Sequence, residues 1–281
     1  MAMLTSQLED ELGDVLEKAL RHARLSLDGL AARSGVDRSK LADALDYRYE
    51  FTQKELYALA AALKLNEVGL CAIAQGCYPL PHVSELPFLL NVLRMPFGAG
   101  TVNAYIISHP DSLSGILFDG GLDFVGLTKT WPRAIQSLSA VFLTHAEGEH
   151  LGGMSDVLES QHLTYYHGPR CKQCTHCREV RDGEEVKVGG FLVRALRTPG
   201  HAAEHNSYYV RLADPARPRG VLIAGDLIFA GSLGGGYFCS RTLLAQALRV
   251  LSTLPADTVI APGHGPITTI EHERTFNPFI V

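Results

Sequence analysis

The stretch Thr144-His145-Ala146-Glu147-Gly148-Glu149-His150 puts four potential metal ligands into six residues, directly after the apolar run Val141-Phe142-Leu143. A buried strand that opens into a polar loop lets such side chains converge at the end of a sheet without disturbing the core. Three later segments repeat the arrangement. Pro199-Gly200-His201, Gly225-Asp226 and Pro262-Gly263-His264 each follow a short β-type run or sit in a Gly/Pro turn. Imidazole and carboxylate donors together suit Zn, Mn or Fe, and each added carboxylate moves the preference toward the harder, more oxygen-seeking ions.

The remaining composition is that of a soluble globular protein: 46% hydrophobic and 20% charged residues in a chain of 281. Its net charge of -5 offers no general attraction to nucleic acid or anionic lipid. No apolar run approaches the roughly 18 to 20 residues that a membrane span requires. The first 25 residues have no apolar signal core and no cleavage motif, so a cytoplasmic location is expected. Residues 1–78 are rich in Leu, Ala and charge at helical spacing and read as a small all-α domain, with Ser26 placed to cap one helix and Gly35 to end it. Residues 79–87, punctuated by Pro79, Pro81 and Pro87, read as a linker. From 88 to 281, short apolar runs alternate with helical segments, among them 134–138 and 242–254, which gives a layered α/β class.

The run from Leu25 to Leu41 and the later Glu55-Leu56-Tyr57-Ala58-Leu59 resemble the helix-turn-helix of phage-repressor-like domains. Members of that family often place the second helix in the major groove, which here implies DNA binding through residues 25–50, with 37–50 as the reading helix. Residues 1–78 carry nine Lys and Arg against twelve Asp and Glu, which favours a helical bundle used for homodimerisation or as a partner platform instead.

The segments Gly225-Asp226-Leu227-Ile228-Phe229 and Pro262-Gly263-His264-Gly265-Pro266, with His145 and His150, resemble the metallo-β-lactamase superfamily in its compact glyoxalase II-like branch. The resemblance implies a four-layer αββα sandwich holding two divalent metal ions. Carried over by position, His145, Glu147 and His201 would hold the first ion; Glu149, His150 and His264 the second; and Asp226 would bridge them. Asp226 and Glu149 are then the candidate catalytic carboxylates. Glu147 and Glu149 stand where the branch has His and Asp. Glu147 resembles the arrangement in flavodiiron proteins, and His145, His201 and Asp226 match the single-iron triad of persulfide dioxygenases. The other histidines, His22, His82, His109, His162, His167, His205 and His272, read as surface or capped residues rather than ligands.

Cys171, Cys174 and Cys177 follow a Cys-x-x-Cys-x-x-Cys spacing. With His176 they would hold an additional zinc, or with a fourth cysteine an iron-sulfur cluster; reduced, redox-active thiols are the alternative. Three functions are consistent with these residues. The first is a metal-dependent hydrolase of a thioester or similar small-molecule ester. The second is a non-haem iron protein acting on or sensing oxygen, nitric oxide or a sulfur species. The third is a metal-containing transcriptional regulator.

Overall fold

The structure, a computed structural model, describes residues 8–83, 85–161, 163–168 and 177–281. The chain opens with five helices: α1 (Leu12–Ala23), α2 (Leu27–Ser34), α3 (Arg38–Leu45), α4 (Gln53–Leu63) and α5 (Glu67–Ala74). In α1, Leu12, Val15, Leu16, Ala19 and Leu20 fall on one buried stripe at helical spacing. Ser26 caps α2 by accepting from the Gly29 N–H at 3.1 Å, and Gly35 closes it in the left-handed region at φ 70°. Thr52 and Glu55 form a reciprocal capping box on α4. The helix expected over 37–50 stops at Leu45. Tyr47 turns left-handed at φ 59° and its hydroxyl donates to Asp14 Oδ1 at 2.6 Å, so the chain is pulled back onto α1.

The first sheet runs through β1 (Leu89–Phe97), β2 (Gly100–Ser108), β3 (Ser114–Phe118), β4 (Ser137–Phe142), β5 (Tyr165–His167) and β6 (Cys177–Glu179) in that order. Helices α6 (Phe124–Thr130), α7 (Gly148–Leu151) and α8 (Met154–Gln161) lie in its connections. The second sheet begins with β7 (Glu185–Val188), β8 (Phe191–Arg197), β9 (Asn206–Leu212) and β10 (Gly220–Gly225). A small hairpin of β11 (Ile228–Phe229) and β12 (Ser232–Leu233) precedes α9 (Ser240–Thr253), β13 (Val259–Pro262), β14 (Thr268–Thr269) and α10 (Ile270–Phe276). The order of the second sheet is β14-β13-β10-β9-β8-β7. The helix expected over 134–138 is absent. Asp123 caps α6 ten residues earlier, Pro132 follows it, and the chain is already strand from Ser137.

Side-chain alternation sorts the core into layers. Tyr105, Ile107, Phe142, Val221 and Ile223 meet between the sheets. Ile106, Leu117 and Val141 face away from them with Leu127 and Met154, beneath α6 and α8. Leu222, Ala224 and Ile260 face the opposite way and join α9. The result is an αββα sandwich. The five N-terminal helices continue that last layer: Leu12, Leu16, Leu59 and Leu70 share one buried cluster with Leu243, Leu251, Ile270 and Phe279. Asn66 extends the contact, its backbone N–H donating to Pro278 O at 2.7 Å and its side-chain amide to Thr275 O at 2.9 Å. Among the described residues no helix is long and apolar enough to cross a membrane.

Candidate metal centre

Strands β3, β4, β8, β10 and β13 all end at one edge of the sandwich, and the residues that follow them converge there. His145 is three residues beyond β4, His201 four beyond β8, Asp226 directly after β10 and His264 two beyond β13. His145, His150, His201, Asp226 and His264 are all at least nine-tenths buried, and Glu147 is half-buried. The ligand atoms of His145, Glu147 and His201 lie within 4.8 Å of one another, as do those of His145, His150 and Asp226.

Hydrogen bonds fix which nitrogen of each ring faces inward. His150 Nδ1–H donates to Asp119 Oδ2 at 3.1 Å, His201 Nδ1–H to Gly235 O at 2.9 Å and His264 Nδ1–H to Thr101 O at 2.9 Å. The Thr144 hydroxyl donates to Asp119 Oδ2, so at 2.9 Å it accepts from His145 Nδ1–H. Each ring then turns its Nε2 toward the same space. His145 Nε2, His150 Nε2 and Asp226 Oδ1 are buried with no hydrogen-bond partner. Such atoms are costly to bury unless a ligand satisfies them. His201 Nε2 is 3.0 Å from Glu147 Oε1 but off the hydrogen-bond direction, so this approach is an ion-pair contact.

Asp226 sits between the rings. His150 Nε2 is 3.6 Å from its Oδ1, while His201 Nε2 and His264 Nε2 are 3.7 and 3.5 Å from its Oδ2. Two ligands on one tetrahedral ion with bonds near 2.1 Å stand about 3.4 Å apart, so these separations fit a divalent cation. Gly263 lets the carboxylate in, because a Cβ there would lie 2.1 Å from Asp226 Oδ1. Glu149 lines the adjoining cavity but belongs to neither ligand group, and His264, also outside both, meets the cluster through Asp226 Oδ2 and through the His150 ring, whose centroid is 5.6 Å away.

Charge around the site follows the same geometry. Burial and then the neighbouring imidazoles keep His145 well below its ordinary pKa. Burial also lowers His150, but its Asp119 hydrogen bond and the nearby carboxylates outweigh it and raise the ring to about 9. His201 is raised in the same sense, burial being outweighed by Glu147 and Asp226. For Asp226, burial is overcome by His264, His150 and His201, and the carboxyl stays below its usual range. A metal ion would displace the protons that the metal-free histidines hold.

Two residues outside the sequence-derived set complete the centre. Asp119, at φ 61° directly after β3, accepts from the Thr144 N–H at 2.8 Å and orients His150. His205, expected to be a surface or capped residue rather than a ligand, is fully buried. Its Nε2 accepts from the Asp226 N–H at 3.0 Å, while burial holds its pKa down to about 3 and thus the ring neutral. His167 is buried as well, with its Nδ1 hydrogen-bonded to Gly168 O. Of the cysteine cluster, Cys177 opens β6 and is half-buried; Cys171, Cys174 and His176 lie outside the described residues.

The cavity over the ligands has a volume of about 290 Å³. One wall is formed by Glu147, Glu149, His201, Asp226 and His264, the other by α1 and the residues before it, including Glu9, Lys18 and Arg21.

A two-sheet sandwich with histidines and a shared aspartate at one strand edge defines a metal-binding hydrolase fold, and the chain belongs to the metallo-β-lactamase superfamily of metallohydrolases. No family model matches it. "Probable metallo-hydrolase YqgX" of Bacillus subtilis is 31% identical over 214 residues, covering 66% of this chain and 96% of that protein. A hydroxyacylglutathione hydrolase of Hahella chejuensis is 29% identical over 128 residues, 46% of this chain and 48% of that protein. Among solved structures, the BLEG-1 B3 metallo-β-lactamase is 28% identical with a TM-score of 0.55, covering 67% of this chain and 98% of that one. TTHA1623, solved in a di-iron-bound form, is also 28% identical, with a TM-score of 0.53 over 66% and 99% of the two chains.

Proposed function

We propose that the protein is a dinuclear metallohydrolase that cleaves a thioester or a similar small ester. The carrying observation is the set of four histidines whose Nδ1 protons are engaged, so that four Nε2 atoms, free to ligate once a metal displaces their protons, face one carboxylate. His145, Glu147 and His201 would hold one ion, and His150 and His264, with Glu149 beside them, the other; Asp226 would touch both. Bound divalent ions lower the pKa of a water toward neutrality and polarise a carbonyl oxygen. Asp119, Gly235 and Thr101 hold the ligand rings in place, and Phe97 and Phe229 narrow the cavity against bulk water. Glu149, on the cavity wall, is the carboxylate available to exchange a proton with water or the departing group. A thiolate leaves without strong general-acid help, and the hydroxyacylglutathione hydrolase relative acts on a thioester.

Glu147 favours a second reading. A carboxylate in the first ligand group shifts preference from zinc toward iron or manganese, in line with the di-iron relative and with chemistry on oxygen, nitric oxide or a sulfur species. Metal analysis and an optical spectrum of protein purified without added metal, with a thioester cleavage assay, separate the two. Colourless zinc protein that cleaves thioesters supports the hydrolase. Iron with charge-transfer bands and no thioesterase activity overturns it.

A regulator acting through DNA receives less support from charge. Arg38 pairs with Asp28 at 2.5 Å, Lys40 with Glu55 at 2.7 Å, and Arg48 with Asp43 and Asp46 at 3.2 Å, so the cations in and just after α3 already have carboxylate partners.

A further inference from the structure

Residues 226–237 form a loop whose two ends both bear on the metal centre. Asp226 stands at one end, and Gly235 O, the acceptor for His201 Nδ1–H, near the other. Between them the chain turns back through β11 and β12, with the Gly234 N–H donating to Leu227 O at 3.4 Å. The middle of the loop is gripped by the N-terminal helices. Asp10, just before α1, accepts from the Ser232 hydroxyl and pairs with Lys18. Lys18 Nζ also donates to Leu233 O at 2.7 Å and lies 5.2 Å above the Phe229 ring. One turn further along α1, the Arg21 guanidinium lies 5.7 Å over the Tyr237 ring, which in turn packs 5.3 Å from the His201 ring.

The Lys18 and Asp10 side chains are only 14% and 9% exposed. A buried pair of this kind adds little net stability, because desolvation offsets the attraction, yet removing either partner leaves the other charge buried and unpaired. Lys18 reaches Leu233 across 215 positions of sequence, onto the one loop that presents the shared carboxylate.

We propose that Lys18 and Asp10 are positioning residues for the metal centre, through which α1 holds the 226–237 loop so that Asp226 and His201 stay in ligating register. The inference rests on the metal-binding reading given above. The N-terminal helices are then a working part of the centre, and their attachment sets how tightly it holds metal.

The test is chelator competition with Zn²⁺ or Fe²⁺ on the full chain, with thermal unfolding of the metal-free forms alongside. Ser232→Ala removes one hydroxyl and the Asp10 link; Lys18→Met removes the charge and keeps the stem. The apparent dissociation constant should rise several-fold in Ser232→Ala and about ten-fold or more in Lys18→Met, as for other groups that orient metal ligands. Lys18→Arg, which keeps the Asp10 pair, should restore most of the loss. Should Lys18→Met not fold, Ser232→Ala decides. A purely structural role would lower the unfolding temperature and leave metal affinity within two-fold of wild type, and that result overturns the inference alone. Failure of the wild type itself to retain metal would overturn the metal-binding reading with it.

Discussion

Asp119→Asn isolates the proton placement on which the proposed metal centre depends. The backbone should not object, since asparagine is among the few side chains that tolerate the left-handed region where Asp119 sits at φ 61°. The Thr144 N–H donates to Oδ1 at 2.8 Å, so the amide oxygen must stay there. The new NH2 then takes the place of Oδ2 and points at His150 Nδ1 and the Thr144 hydroxyl. A donor facing Nδ1 turns that nitrogen into an acceptor and moves the ring proton to Nε2, the atom 3.6 Å from Asp226 Oδ1. His150 then offers no lone pair to a metal. Loss of an orienting group of this kind lowers metal affinity about 10- to 100-fold, or roughly 1.4 to 2.7 kcal/mol. The same substitution removes two of the influences that raise His150 to about 9 while burial still lowers it, so the ring should titrate lower in the metal-free protein. Metal titration and nitrogen NMR of the imidazoles would measure both. Unchanged affinity in a folded variant, or a His150 ring that keeps its Nε2 lone pair, would refute the tautomer argument.

Glu273 is fully buried, accepting from Thr268 Oγ1 at 2.6 Å, Asn277 Nδ2 at 2.8 Å and the Gly231 N–H at 3.0 Å, and burial raises its pKa from 4.5 to about 7 against those bonds. The folded carboxyl holds its proton more tightly than the unfolded one, so its favourable contribution is complete below about pH 4.5 and lost as pH rises through about 7. That displacement corresponds to about 3 kcal/mol. Glu273→Gln should flatten this part of the stability profile in denaturant titrations between pH 5 and 8, and a profile as steep as the wild type's would contradict it. Gly263→Ala should leave the fold intact and weaken metal binding at least ten-fold, because the new methyl meets Asp226 Oδ1 at 2.1 Å; full metal content at micromolar metal would count against the position given to Asp226.

Much of the sandwich was legible because strand alternation and the polar loops after buried runs are local signals. The heptapeptide 144–150 carries its candidate ligands close together in the chain, and His201, Asp226 and His264 each follow a recognisable strand end. Asp119 and His205 were not legible in the same way, since each acts on a residue 20 or more positions away. A signal for Asp119 did exist: a carboxylate directly after the apolar run 115–118 and before two glycines occupies the same kind of strand end as Asp226. The misplaced helix at 134–138 has a simple cause, because Ile135 and Leu138 are buried by the sheet without helical hydrogen bonding. Nothing in the apolar stripe of α1 tells which surface covers it. Its polar side, where Lys18 and Arg21 meet the 226–237 loop, is equally silent until the fold brings them together.

The shared core of the N-terminal helices and the last layer of the sandwich bears on how the chain is made. Leu12, Leu16 and Leu70 share one cluster with Leu251, Ile270 and Phe279 as well as with their own helical neighbours, and Asn66 bonds the backbone at Thr275 and Pro278. During synthesis the first helices can pack on one another early, through Leu30, Leu41, Leu59 and Leu63, but the part of their apolar surface that meets α9 and α10 stays uncovered until the far end of the chain leaves the ribosome. Entropy favours early local contacts over such distant ones, so docking of these helices is expected as a late folding event, after the two sheets have formed. A nascent chain halted before residue 270 should therefore expose that helical face to chaperones.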